Sequence, residues 1–295
     1  MGNRKKSVQW LKEIIVTILL ILLSAYCIIL SIRIEKLEQQ IAEIKTDADK
    51  KLEIVWDDQV ILGEEEQKNA EGSAETEIEN SAEDDENTKK VYLTFDDGPS
   101  VLTREVLEIL EKEKIRATFF LIGCQITEEE EELLQEMVAK GHLLGVHTYS
   151  HKSSEIYSSV EAYVKDANKT ADRIYEATGI SPTIYRFPWG SVNCYVSGIC
   201  DDVIEEMKKE GYEYYDWNVS AEDSVGKPTK ESILKNIKKD FAKYNEPVIL
   251  MHDSAVNKAT VEALPEVIAM LKEAGYTFET LDKREEACHY SRNTK

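Results

Sequence analysis

Nineteen consecutive residues without a charge, Ile14 to Ile32, constrain this chain more than any other feature. A membrane-spanning helix needs roughly 20 apolar residues. In a bilayer, a single segment of this kind can satisfy its backbone only as a helix. Arg4, Lys5, Lys6 and Lys12 precede the run, whereas Arg33 and Lys36 beyond it are diluted by Glu35 and Glu38. This asymmetry predicts a cytoplasmic segment 1–13, an anchor 14–32, and a single-pass cell-membrane protein with everything after the anchor outside. A cleaved signal peptide would have an apolar core of about 7–15 residues and a small-x-small site. This run is longer and ends in Ile-Arg-Ile-Glu-Lys.

Beyond the anchor, Ile34, Leu37, Ile41, Ile44 and Ala48 are spaced as an a/d stripe. Segment 33–62 reads as a helical stalk, and the stripe 34–48 serves either a short coiled-coil homodimer or a stalk continuing the anchor. Segment 63–90 reads as an acidic linker. Residues 63–88 hold eleven Asp and Glu against the single Lys68. Such a stretch has little to bury and is kept extended by self-repulsion. The net charge of −21, with no basic patch beyond the first twelve residues, excludes a nucleic-acid partner. No two of the five cysteines have C-x-x-C spacing, which argues against a cysteine-ligated metal. Outside the cell, Cys194 and Cys200 could bridge across a loop, and Cys124 and Cys288 could also pair.

From Val91 the pattern changes. Short apolar runs at 91–95, 117–122, 143–146, 183–187, 212–217, 248–251 and 276–281 read as strands. Helical stretches at 103–114, 127–140, 161–178, 202–210, 233–244 and 264–274 alternate with them. Thr127 is the expected cap of its helix. The alternation predicts an α/β fold with a parallel sheet, and the number of units over 91–285 favours a barrel-like arrangement. Residues 286–295 read as a tail.

In such a fold, chemistry collects at the C-terminal ends of the strands. Those ends carry Asp96-Asp97, His147-x-x-x-His151, Arg186, Asp216-Trp217 and His252. Two imidazoles four residues apart can reach one cation, and a catalytic zinc keeps a position open for water. Neighbouring side chains on an extended strand point to opposite sides. One carboxylate of Asp96-Asp97 can therefore complete a metal site while the other faces substrate. Arg186 can hold a carboxylate by paired hydrogen bonds. Asp216 and His252 are expected to form an acid pair, because a carboxylate favours the protonated imidazole that can donate to a leaving amine. Trp217 lines either a pocket or the core. His142 reads as structural, and His289 is given no role.

The ordered set Thr94-Phe95-Asp96-Asp97-Gly98-Pro99, His147-Thr148-x-x-His151, Arg186-x-Pro188-x-Gly190, Asp216-Trp217 and Leu250-x-His252 resembles the polysaccharide deacetylases of the NodB-homology type, carbohydrate esterase family 4. The anchor, spacer and domain plan looks like that of membrane-anchored peptidoglycan N-acetylglucosamine deacetylases. The resemblance covers about residues 89–285. It implies a distorted, incomplete (β/α) barrel and a divalent metal, usually zinc, held by Asp97, His147 and His151. It further implies Asp96 as general base paired to Arg186, and His252 as general acid tuned by Asp216. Pro188, Trp189, Trp217 and Leu250 would line the substrate. The Trp189 N–H would stabilise the oxyanion, with Trp217 and Leu250 flanking the acetyl methyl. The implied partner is a carbohydrate polymer, most simply peptidoglycan, and the implied product is acetate. Trp189 stands where this family often has Tyr, which puts substrate preference in question, and N-acetylmuramic acid, chitin-like oligomers and a secreted poly-N-acetylglucosamine stay open beside N-acetylglucosamine in peptidoglycan. An O-acetyl esterase acting on xylan or another glycan and a non-catalytic membrane-anchored glycan-binding module are the rival readings.

Overall fold

The computed structural model describes residues 89–291. The anchor run 14–32 with Cys27, the stalk with its 34–48 stripe and the acidic segment up to 88 lie outside the described residues. Among the described residues, no helix is long and apolar enough to cross a membrane.

The chain alternates as its apolar periodicity predicts. In order, the elements are β1 (Lys89–Gly98), α1 (Thr103–Lys112), β2 (Thr118–Leu121), α2 (Glu131–Ala139), β3 (Leu143–Val146), the short α3 (Ser153–Ile156), α4 (Val160–Thr178), β4 (Ile184–Tyr185), α5 (Cys200–Lys209), β5 (Glu213–Tyr214), β6 (Val219–Ser220), α6 (Lys230–Asp240), β7 (Val248–His252), α7 (Lys258–Glu273) and β8 (Tyr276–Phe278). All strand pairings are parallel, in the order β5-β4-β3-β2-β1-β7-β6, with β8 added to the first residues of β1. A closed barrel of this order would need β5 to pair with β6, and it does not. The sheet therefore curls without closing, consistent with a distorted (β/α) barrel.

Strand β1 sets both faces. Val91, Leu93 and Phe95 pack with Phe119 and Leu121 in the larger core cluster, which also holds Val106, Leu110, Leu264 and Ile268 of the helices. The alternate residue Tyr92 joins Phe120, Ile184 and Val248 in a smaller cluster. Thr94 and Asp96 follow Tyr92 with the same period of two. Burying each large apolar side chain of these clusters contributes about 1.5–3 kcal/mol. The inner face is thus apolar at the bottom and polar at the strand ends.

Several elements differ from expectation. Thr127 makes no side-chain cap. It precedes a 3-10 turn, Glu128–Glu130, before α2 begins. Helix α7 starts six residues before the expected Leu264 and runs through Pro265. The buried faces of Val261, Leu264, Val267 and Ile268 outweigh the one backbone donor that proline lacks. Strand β6 has only Val219 as an apolar residue and follows directly on the run 212–217, so no separate strand is visible in the sequence. The segment read as a tail folds back, and the His289 ring stacks on Tyr214 at 3.8 Å. No disulfide joins the four described cysteines. The Cys200 thiol donates to the Ser191 carbonyl at 3.3 Å, and Cys124 and Cys194 are both exposed.

Candidate active site

The strand ends converge on one cluster. Asp96 and Asp97 close β1, His147 follows β3, Arg186 follows β4 and His252 ends β7. Strands β1 and β7 are neighbours in register, so Asp96 lies opposite His252. Backbone strain gathers here as well. Asp97, Thr148, His151 and Trp189 all adopt left-handed φ angles, between 51° and 71°. Non-glycine residues in that region cost about 1–3 kcal/mol each and persist where the surroundings over-determine them.

The turn at Asp97 alters one expectation. The two carboxylates do not point to opposite sides. With φ at 71°, Asp97 leaves the pleat, and the β1–β2 register shifts between Asp96 and Gly98. Both acids then face His147: its Nε2 is 3.8 Å from Asp96 Oδ2 and 3.5 Å from Asp97 Oδ1. Gly98 is required by close approach, since a Cβ there would lie 2.6 Å from Asp253 Oδ2. Asp253 ties this turn down. Thr103 donates to its carboxylate, and its own N–H donates to the Asp96 carbonyl at 3.2 Å. Burial pushes the Asp253 carboxyl up to about 7.

Asp97, His147 and His151 each offer one ligand atom within 4.8 Å of the others. The His147 Nδ1–H donates to the Arg186 carbonyl at 2.9 Å, because a carbonyl can only accept. Its Nε2 then carries a lone pair. Burial, followed by the neighbouring positive charges, holds this ring neutral with its pKa well below the usual histidine value. That lone pair faces Asp97 Oδ1, a buried oxygen with no hydrogen-bond partner, and His151 Nε2 lies 3.4 Å from the same oxygen. Acceptors turned on one another fit a cation between them. Two imidazoles and a carboxylate are a donor set suited to zinc.

Asp166 of α4 was not foreseen. Its Oδ1 accepts from the N–H of Tyr149 at 2.5 Å and of Ser150 at 3.1 Å, inside the loop joining the two histidines. Outer partners of this kind are worth about 10–100-fold in metal affinity. Asp166→Ala is expected to weaken zinc binding by about that factor, measured by competition with a chromophoric chelator. Unchanged affinity would make Asp166 a fold residue only.

Arg186 is fully buried. Its Nη1 donates to Asp96 Oδ1 at 2.8 Å and to the Thr94 hydroxyl at 2.7 Å, its Nε to the Tyr215 carbonyl at 2.9 Å and its Nη2 to the Asp216 carbonyl at 3.0 Å. Each of its three nitrogens has an acceptor, as a buried guanidinium demands. Asp96 is left with Oδ2 facing the ligand cluster. Burial, outweighing the attraction of Arg186 and His252, pushes its carboxyl up to about 6.

The acid pair requires a correction. His252 Nδ1–H donates to Asp223 Oδ1 at 2.8 Å, not to Asp216. Asp223 also accepts from the His252 N–H at 2.8 Å and the Thr260 hydroxyl at 2.7 Å, so its orientation is fixed. Burial pulls His252 down, but the hydrogen bond and charge of Asp223, helped by Asp96 and Asp97, push it up to about 9. Asp216 does another job. It accepts from the Ser191 N–H at 2.8 Å, the Ser191 hydroxyl at 2.6 Å and the Tyr290 N–H at 2.9 Å, bracing the turn after Trp189. Asp223 follows the two-residue β6; its only sequence signal is an acid just past Val219–Ser220.

The expected substrate contacts divide. Trp189 is half exposed, with its ring centroid 4.8 Å from that of His151. Pro188 is buried, and its carbonyl accepts from the Tyr157 hydroxyl at 2.8 Å. Leu250 is buried in β7 opposite Thr94. Trp217 lies 5.6 Å from the Arg186 guanidinium and edge-on to Tyr290 at 5.3 Å, so it backs the arginine.

Residues 83–215 match the polysaccharide deacetylase family profile. A putative polysaccharide deacetylase of Bacillus subtilis is 32% identical over 198 residues, covering 66% of this chain and 67% of the relative. A peptidoglycan-N-acetylglucosamine deacetylase of Bacillus cereus is 33% identical over 200 residues, covering 65% of this chain and 68% of the relative. Among solved structures, the catalytic domain of the Eubacterium rectale peptidoglycan N-acetylglucosamine deacetylase superposes with a TM-score of 0.65 at 31% identity, covering 75% of this chain and 98% of that one.

Proposed function

This chain belongs to the polysaccharide deacetylase family of hydrolytic enzymes, and from that premise we propose that it removes N-acetyl groups from N-acetylglucosamine in peptidoglycan, with zinc held by Asp97, His147 and His151. The observation that carries this reading is the pair of proton-handling groups beside the ligand cluster. Asp96 is held by Arg186, and His252, in register beside it, is held by Asp223. Asp96 is a carboxylate placed to take a proton, and His252 an imidazolium kept charged to give one. The substrate assignment draws on the Bacillus cereus relative.

The chemistry a divalent cation supplies in such a site is to acidify a water and polarise a carbonyl. The remaining work falls to the chain. Asp96, through Oδ2, takes the proton of the attacking water as the C–O bond forms. Its Oδ1 stays on Arg186, so the carboxylate does not swing. His252 gives a proton to the amide nitrogen as the C–N bond breaks. The products are acetate and a free amine, and the two proton transfers balance. Asp223 accepts the Nδ1–H and favours the charged imidazolium, so the far nitrogen also carries an N–H to donate. Residues 14–32 would anchor the enzyme in the cell membrane, with the deacetylase domain outside beside its polymer, and 34–48 would allow a homodimer.

The test is acetate release by the full-length chain in mild detergent, on peptidoglycan, N-acetylglucosamine oligomers and acetylated xylan, with zinc or a chelator. Release from peptidoglycan that the chelator abolishes and zinc restores is the expected result. Release only from xylan would replace the amide by an ester. Release that the chelator does not touch would remove the metal from the reading.

A further inference from the structure

The loop after Arg186 carries three large apolar side chains in the open. Trp189 is 46% exposed, Val192 56% and Tyr195 55%. Exposed apolar side chains scattered singly need no explanation, but a contiguous group does. These three fall within seven residues, and the Trp189 and Tyr195 rings touch, with centroids 5.4 Å apart.

The loop does not present them by accident of flexibility. Asn193 clamps it from within. Its amide donates to the Gly190 carbonyl at 2.6 Å and to the Pro188 carbonyl at 3.2 Å, and its carbonyl accepts from the N–H of Tyr195 at 2.8 Å and of Val196 at 3.0 Å. Asp216 braces the Ser191 end. The Tyr157 ring also lies beside Trp189, with centroids 6.4 Å apart. The aromatic faces are therefore held in place before any ligand arrives, which lowers the ordering cost of binding.

The shelf starts at the metal-site histidine. The Trp189 ring lies 4.8 Å from His151, and Tyr195 sits one ring further out. Its three side chains carry no charge, in a chain of net charge −21. The ligand that fits is flat, uncharged at that face and continuous with the group that reacts. A pyranose ring meets all three conditions, since its axial C–H groups form an apolar face and its hydroxyls lie at the rim.

We propose that Trp189, Val192 and Tyr195 form a subsite that stacks the sugar next to the one losing its acetyl group. The enzyme then reads at least two sugars and favours polymers over single residues. This rests on the polysaccharide reading of the site. Tyr195 touches no proposed ligand, base or acid, so its removal isolates the subsite.

The experiment compares the full-length protein with Tyr195→Ala and Tyr195→Phe on N-acetylglucosamine oligomers of increasing length and on 4-nitrophenyl acetate, which is too small to reach the shelf. Tyr195→Ala is expected to raise KM for the longer oligomers about 3- to 10-fold, an aromatic contact's worth. It should leave their kcat and the hydrolysis of the small ester unchanged. Tyr195→Phe should restore the wild-type KM, because the ring and not the hydroxyl makes the contact. Oligomer KM values unmoved by Tyr195→Ala would overturn the subsite while leaving the deacetylase reading intact. Hydrolysis of the small ester without turnover of any oligomer by the unaltered protein would overturn both.

Discussion

Asp96→Asn should leave a folded protein that binds zinc and turns over substrate about 10²- to 10⁴-fold more slowly, the range for loss of a general base. The amide keeps an oxygen to accept from Arg186 Nη1, now 2.8 Å from Asp96 Oδ1, so the buried guanidinium retains a partner. Removing that partner outright would instead cost about 3–5 kcal/mol of stability. Metal content by elemental analysis and acetate release together separate the roles. Activity within tenfold of the unaltered enzyme would show that Asp96 is not the base. The pH profile carries the same information. Rate rises as pH climbs through the pKa of Asp96, which must be ionised, and burial sets that value near 6. It falls as pH climbs through the pKa of His252, which must be protonated, and Asp223 sets that value near 9 against the pull of burial. A bound cation adds positive charge that lowers both. The limbs of the bell are therefore expected at or below those two values, and Asp96→Asn should erase the acid limb.

The second large effect decides between two aspartates. Asp223→Asn removes the charge 2.8 Å from His252 Nδ1 and places an amide among donors, namely the His252 N–H and the Thr260 hydroxyl. The alkaline limb should fall by about 1–3 pH units as the imidazolium loses its counter-charge. An orienting carboxylate behind a catalytic imidazole is worth up to about 10⁴ in rate. Asp216→Asn should leave that limb in place and act through the Ser191 turn, raising KM instead. Full pH–rate profiles of the two variants settle the matter. A shifted alkaline limb in Asp216→Asn, with Asp223→Asn unmoved, would reverse the assignment.

Most of the site was legible because strand ends are legible. Runs such as Val91–Phe95 and Val248–Met251 mark where buried strands stop, and in a parallel α/β sheet the residues past those stops share one rim. Asp96, Asp97, His147, His151, Arg186 and His252 came together on that argument. Asp223 escaped because β6 comes directly after the run 212–217 and has only Val219 as an apolar residue to mark it. Asp166 escaped because it sits on a helix whose pattern reads as an amphipathic surface, with no trace of the loop it holds. The alternation rule failed at Asp97, where a left-handed φ breaks the pleat that the rule assumes.

Periodicity, charge runs and residue types are local properties, and they alone determined the anchor prediction, the α/β alternation and the chemical inventory of the rim. Which aspartate meets His252 and which oxygen of Asp96 faces the ligands depend on how separate strands and loops are brought together. These are contacts between residues far apart in the chain, as in the pair Arg186–Asp96, 90 positions apart. No local pattern encodes them, because a side chain's partner is set by the packing of the curled sheet and not by its neighbours in the chain.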